Sequence, residues 1–167
     1  FAEKLLLEAK DMNEGAWIDH SYHVARLAEK IAGKAGMDSE KAYILGLLHD
    51  IGRRNGNMQA RHAIEGFQFL TSIGFDEGAR ICLTHTFQYK DIEAIYDTWD
   101  CSDDEKHFMA EYLQNVTYND YDKLIQLCDD TSIRQYLQLA SFISLISLNN
   151  SIASGVVIVV GIIFSPV

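Results

Sequence analysis

Tyr43-Ile44-Leu45-Gly46-Leu47-Leu48-His49-Asp50-Ile51-Gly52 is the stretch on which the fold turns. It is apolar nearly all round, so as a helix it has no solvent face and belongs at the centre of a domain. Asp38 stands where a helix N-cap is wanted, and the helix is predicted to run to about Gly52. A polar loop over 53–59 follows. His49 comes four residues after Leu45, and Asp50 three after Leu47. Both polar groups therefore lie over buried positions at the end of a central helix.

Outward from this stretch the pattern stays helical. Residues 2–13 have apolar side chains every three or four positions, and 19–34 carry Val24, Leu27, Ala28 and Ile31 as one stripe. Further helices are predicted over 61–73, from an Asp76 cap through Thr84, from a Ser102/Glu105 capping box to about Val116, and from an Asn119 cap through Asp129. One proline in 167 residues argues against a turn-rich β fold. The expected class is all-α, a helical bundle with short connections.

The composition breaks near residue 130. Residues 1–130 hold 13 of the 14 basic and all 24 acidic residues, whereas 131–167 hold one charged side chain, Arg134. The expected organisation is thus a domain over 1–130 and an apolar tail over 131–167. The tail reads in three ways: a membrane anchor, a buried terminal helix or strand, or a segment not native to the domain. A bilayer span needs about 20 apolar residues, and here two Asn and several Ser interrupt the run. No leader pattern precedes the first helix, and the chain begins at Phe1 rather than Met. Cys82, Cys101 and Cys128 form no CxxC and no even set, which fits reduced thiols and a cytoplasmic setting. The formal net charge of −10 excludes a polyanion binder that works by positive charge alone.

The inward-facing polar residues point to chemistry. At about 100° per residue, Val24, Leu27 and Ile31 fall within roughly 40° of His20, so His20 sits on the apolar face and His23 on its edge. His62 lies on the face of Gly66, Phe69 and Ile73, and His85 shares a face with Gly78 and Cys82. Asp129 lies beside Ile125, and Asp130 points away. Four histidines and two aspartates from five helices therefore face inward. A lone histidine on such a face is usually a satisfied core residue. Two buried carboxylates are costly unless paired or metal-bound, and no lysine or arginine is expected on those faces. The set suits a divalent ion such as Zn, Fe, Mn, Co or Ni, with Mg possible, and not a thiolate site.

His20-Ser21-Tyr22-His23-Val24-Ala25, Leu47-Leu48-His49-Asp50-Ile51-Gly52-Arg53 and Leu127-Cys128-Asp129 together resemble the HD domain of metal-dependent phosphohydrolases, an H…HD…D pattern on a helical bundle. The resemblance covers 17–130. It implies that His20, His49, Asp50 and Asp129 hold a first ion. It also implies that His62 and His85 match the two further histidines of dinuclear members, with Asp50 as bridge. One or two ions per chain are expected. Thr86-Phe87-Gln88-Tyr89 lacks the Gly-Tyr-Pro of the subfamily that cleaves cyclic dinucleotides. Ile-Gly-Arg-Arg after Asp50 lacks the Glu-Asp pair of guanosine tetraphosphate hydrolases.

The implied activity is hydrolysis of a phosphate ester or anhydride in a small, nucleotide-type substrate by metal-activated water. Asp50 is expected to fix the ions and orient the water. Arg53, Arg54 and Lys90 are candidate phosphate contacts, although a solvated loop explains the arginines equally well. His23 is a candidate proton donor, with a supporting or core role as its bland reading. Phe87, Tyr89, Tyr96 and Trp99 either stack a base or fill a core. His107, in a charged run, reads as a surface residue. The partner expected is a small phosphate compound rather than long nucleic acid. A regulatory metal- or nucleotide-binding module without turnover and a di-iron oxygen-using enzyme are the rival classes. Oligomeric state is not legible.

Overall fold

The computed structural model of the chain describes residues 1–95 and 98–131. The chain divides into two units, 1–132 and 133–167. The tail and all three readings of it lie outside the described residues, as does Tyr96. Every regular element among the described residues is helical: α1 (Ala2–Met12), α2 (Ala16–Ala35), α3 (Ser39–Leu48), α4 (Arg61–Ser72), α5 (Asp76–Thr84), α6 (Asp103–Asn115) and α7 (120–131). Short 3-10 turns occupy Ile51–Asn55 and Ile92–Ala94. Among the described residues no helix is long and apolar enough to cross a membrane.

Local chemistry sets four of the helix ends. The Asp38 carboxylate accepts from Lys41 N–H at 3.0 Å and starts α3. Gly36 ends α2 in the left-handed region, at φ 71°, where a side chain would be strained. Ser102 and Glu105 form the reciprocal capping box of α6. Asn119 Oδ1 accepts from Tyr121 N–H at 2.8 Å and starts α7. Two expectations differ from the structure. Asp76 is the first residue of α5 rather than its cap, which is Phe75 without a side-chain bond. Helix α3 stops at Leu48, and a 3-10 turn over Ile51–Asn55 takes up the end of the expected helix and the start of the expected polar loop. There the Leu48 carbonyl accepts from the buried Cys82 thiol at 3.3 Å instead of from a following turn.

Helix α3 is the centre of the domain. Ala42, Leu45, Gly46, Leu47 and Leu48 are all buried. Leu47 and Leu48 join the core made with α1, α2 and α5, through Leu6, Ala25 and Cys82. Leu45 packs into a second core with Val24, Ala28, Ile81 and Ile125. Full burial of each leucine contributes about 2 kcal/mol. Close approach fixes the register of α3. A Cβ at Gly46 would lie 2.8 Å from Ala25 Cα on α2, which no larger residue there could tolerate. Gly52 plays the same part against α4. A Cβ there would overlap the His62 carbonyl and stand 2.5 Å from Gly66 N. The two glycines press α3 and its following turn against the helices that carry His20 and His62.

Candidate metal centre

Five helices deliver polar side chains to one place. His49 and Asp50 close α3, His85 closes α5, His20 comes from α2, His62 from the first turn of α4, and Asp129 from α7. His20 Nε2 lies 2.8 Å from Asp129 Oδ1, and His49 Nε2 lies 3.8 Å from both Asp129 Oδ1 and Asp50 Oδ2. His62 and His85 Nε2 lie 3.2 and 3.7 Å from Asp50 Oδ1. The six residues fall into three overlapping triads: His20/His49/Asp50, His49/His85/Asp129 and Asp50/His62/His85. Within each triad the ligand atoms lie within 4.8 Å of one another. Every metal ligand named from the sequence is thus in the cluster.

Three of the histidines are oriented alike. The Nδ1–H of His49 donates to the Gly46 carbonyl at 2.7 Å, that of His85 to the Ile81 carbonyl at 3.1 Å, and that of His62 to the Gln59 carbonyl. Each bond reaches back to the preceding turn, fixes the tautomer and leaves a lone pair on Nε2. His62 and His85 Nε2 then face each other at 3.2 Å, two acceptors in contact. His49 Nε2 is buried and has no hydrogen-bond partner. An orphaned buried acceptor costs about 1–3 kcal/mol, a penalty that a bound cation removes. The donor set, imidazole and carboxylate without thiolate, fits a divalent ion.

The electrostatics agree with that reading. Burial lowers the pKa of His49 and of His85, and pushes that of His62 down to about 4, so all three stay neutral and ligand-ready. Burial opposes the charged form of Asp50 too, but any proton taken up by His49, His62 or His85, together with the standing charge of Arg53, outweighs it and holds its carboxyl well below the usual range. Burial likewise disfavours charge on His20. The hydrogen bond to Asp129 and the charges of Asp50 and Asp129 overcome it, and the pKa of His20 rises. Asp129 is lowered in turn, mainly through His20.

One expectation fails here. The faces were expected to hold no basic partner, yet Arg53 Nε donates to Asp50 Oδ2 at 2.9 Å. The 3-10 turn that Asp50 opens stacks residues three apart and so sets Arg53 over Asp50. Its Nη1 donates to the Met58 carbonyl at 2.7 Å. Arg54 and Lys90 make their described contacts elsewhere. Arg54 reaches Met12 Sδ and lies over Phe69, while Lys90 donates to the Val116 carbonyl and lies over Tyr118. His23 is exposed and donates from Nδ1 to the Asp19 carbonyl. Phe87 is buried and stacked on Trp99 in the core under α6, Tyr89 is exposed, and His107 is on the surface.

Two features were not found by reading the sequence. Asp122, fully buried on α7, accepts from Thr84 Oγ1 at 2.7 Å, Arg80 Nε at 3.1 Å and Asn119 N–H at 2.8 Å. Gln126 Nε2 donates to the Thr84 carbonyl at 2.7 Å. This network pins α7, which carries Asp129, to the end of α5, which carries His85. The Asn119-x-x-Asp122 spacing was its one sequence signal. The second is Thr86, whose Oγ1 stands 3.2 Å from His85 Nε2.

Comparison with known proteins adds the following. The HD domain family model matches residues 17–133. Ribonuclease Y of Opitutus terrae is 41% identical over 58 residues, which are 34% of this chain and 11% of that protein. The chain therefore spans about a tenth of that relative's length. No solved structure matches the chain.

Proposed function

The chain belongs to the HD domain family, and on that premise we propose that it hydrolyses a phosphate ester or anhydride in a small, nucleotide-type substrate with one or two divalent ions. The single observation that carries the reading is His49 Nε2, a buried lone pair with no partner, on a residue shared by two of the three triads. His20, His49, Asp50 and Asp129 would hold a first ion, and His62 and His85 a second, with Asp50 shared. The two Asp50 oxygens already face opposite ways, Oδ1 toward His62 and His85 and Oδ2 toward His49 and Arg53. A divalent ion bound here supplies Lewis acidity toward a phosphoryl oxygen and lowers the pKa of water toward neutrality.

The chain's own groups do the rest. Arg53 holds Asp50 in place and keeps it ionised. His20 could serve as a ligand only after giving up the proton that its bond to Asp129 favours, so loading would be favoured by rising pH. His23, one turn from His20 on the exposed side of α2, is the proposed proton donor to the leaving group. Arg54 and Lys90 are not retained as phosphate contacts, because their described contacts lie elsewhere. The three free cysteines support a cytoplasmic setting.

A second reading takes its support from the relative's name: cleavage of an RNA phosphodiester. The net charge of −10 favours a small substrate over a long polyanion. Elemental analysis of chain purified without chelators, followed by a panel of nucleotides, simple phosphate esters and short RNA, separates the readings. Metal content near one or two ions with turnover on the small compounds is expected. Turnover on RNA alone would replace the first reading with the second. His49→Ala and Asp50→Ala should abolish metal binding and activity together. A folded chain that takes up no added Mn²⁺, Zn²⁺ or Fe²⁺ would end both readings.

A further inference from the structure

We infer that the Thr86 hydroxyl is a substrate-binding group of this centre, a hydrogen-bond donor to a phosphoryl oxygen held beside His85. The inference rests on the proposed phosphohydrolase reading and goes beyond it, to a residue that no ligand pattern singles out.

The argument is a balance of donors and acceptors. On the His62/His85 side the converging atoms all accept: Asp50 Oδ1, and the Nε2 lone pairs of His62 and His85, whose Nδ1 protons are committed to backbone carbonyls. An anionic substrate needs donors. The described hydrogen bonds of Arg53 go to Asp50 Oδ2 and the Met58 carbonyl, and His20 faces Asp129. Thr86 Oγ1, 3.2 Å from His85 Nε2, is the neutral donor at the cluster among the described residues. Because Nε2 can only accept, the hydroxyl donates to it.

That bond and a metal compete for one lone pair. A cation that takes His85 Nε2 frees the Thr86 O–H, which is half-buried and must find another acceptor. The residue itself is held on both sides. His85 closes α5, and Phe87 N–H bonds the Thr84 carbonyl while the Phe87 ring is buried against Trp99. The hydroxyl can therefore turn about its Cα–Cβ bond but cannot leave the rim of the cluster. Water can serve until an oxyanion drawn to the same ions takes its place.

The test uses the full chain loaded with Mn²⁺, inorganic phosphate as probe, and calorimetry for affinity, with manganese per chain counted separately. Thr86→Val keeps the shape and removes the donor, and Thr86→Ser restores it. All three proteins should carry the same manganese. The valine variant should bind phosphate about tenfold more weakly, the loss of one hydrogen bond to a charged oxygen, and the serine variant should stay within about twofold of the parent. Phosphate binding by Thr86→Val equal to the parent's would overturn the inference alone. Loss of an ion in Thr86→Val would overturn it too, by placing Thr86 among the groups that hold metal. A parent that takes up manganese but no phosphate, or takes up neither, would overturn the phosphohydrolase reading and the inference with it.

Discussion

Replacing Arg53 by methionine probes how Asp50 is kept charged without a metal. The guanidinium Nε lies 2.9 Å from Asp50 Oδ2 and is its described cationic side-chain partner other than the histidines, which burial keeps neutral. Removing one member of a fully buried pair costs about 3–5 kcal/mol. The Arg53 side chain is 24% exposed and that of Asp50 6%, which brings the expected loss in the metal-free protein down to about 2–3 kcal/mol. For a domain of this size that corresponds to a fall in Tm of about 10 °C. A divalent cation supplies the missing positive charge, so metal should return about half of the lost stability. By linkage, Arg53→Met should then bind Mn²⁺ about tenfold more tightly than the parent. Urea unfolding with and without Mn²⁺ gives one leg of the cycle and calorimetric Mn²⁺ affinity the other. A metal-free Arg53→Met as stable as the parent, or a loss that metal leaves unchanged, would refute the reasoning.

The remaining predictions concern the same centre. His62→Ala should lower the metal content by one ion per chain and leave the helical circular dichroism intact; full metal content in that variant would refute the dinuclear assignment. Gly52→Ala should destabilise the fold by about 3 kcal/mol through overpacking, because the added methyl meets backbone, the His62 carbonyl and Gly66 N; an unchanged urea midpoint would contradict this. Metal-free stability should fall on acidification. The folded pKa of His62, about 4, lies below its ordinary 6.5, so the unfolded chain binds more protons between those values. Stability present above pH 6.5 is lost as pH drops toward 4, by on the order of 3 kcal/mol for His62. His49 and His85 act in the same direction. His20, raised, acts oppositely, giving stability below pH 6.5 that is lost as pH climbs through its folded value. Urea midpoints between pH 4 and 8 check the sum, and a flat profile would show that the three histidines are not buried neutral.

The helices and the six candidate ligands could be read from the chain because both depend on period. Apolar residues every three or four positions define a face, and His20, His49, Asp50, His62, His85 and Asp129 stand on such faces or close a buried helix. Sequence periodicity also marked α3 as central, since no side of it is polar. Arg53, Asp122 and Thr86 were beyond it. Arg53 reaches Asp50 because the backbone tightens from α to 3-10 after α3, where the Leu48 carbonyl finds the Cys82 thiol of a distant helix. The partners of Asp122, Thr84 and Arg80, lie on α5, about 40 positions away. Thr86 matters through its distance to one ring nitrogen. Each depends on a contact between elements or on a local change of helix type. A one-dimensional pattern records which face a residue occupies, whereas only the packed tertiary structure decides which atom stands opposite it.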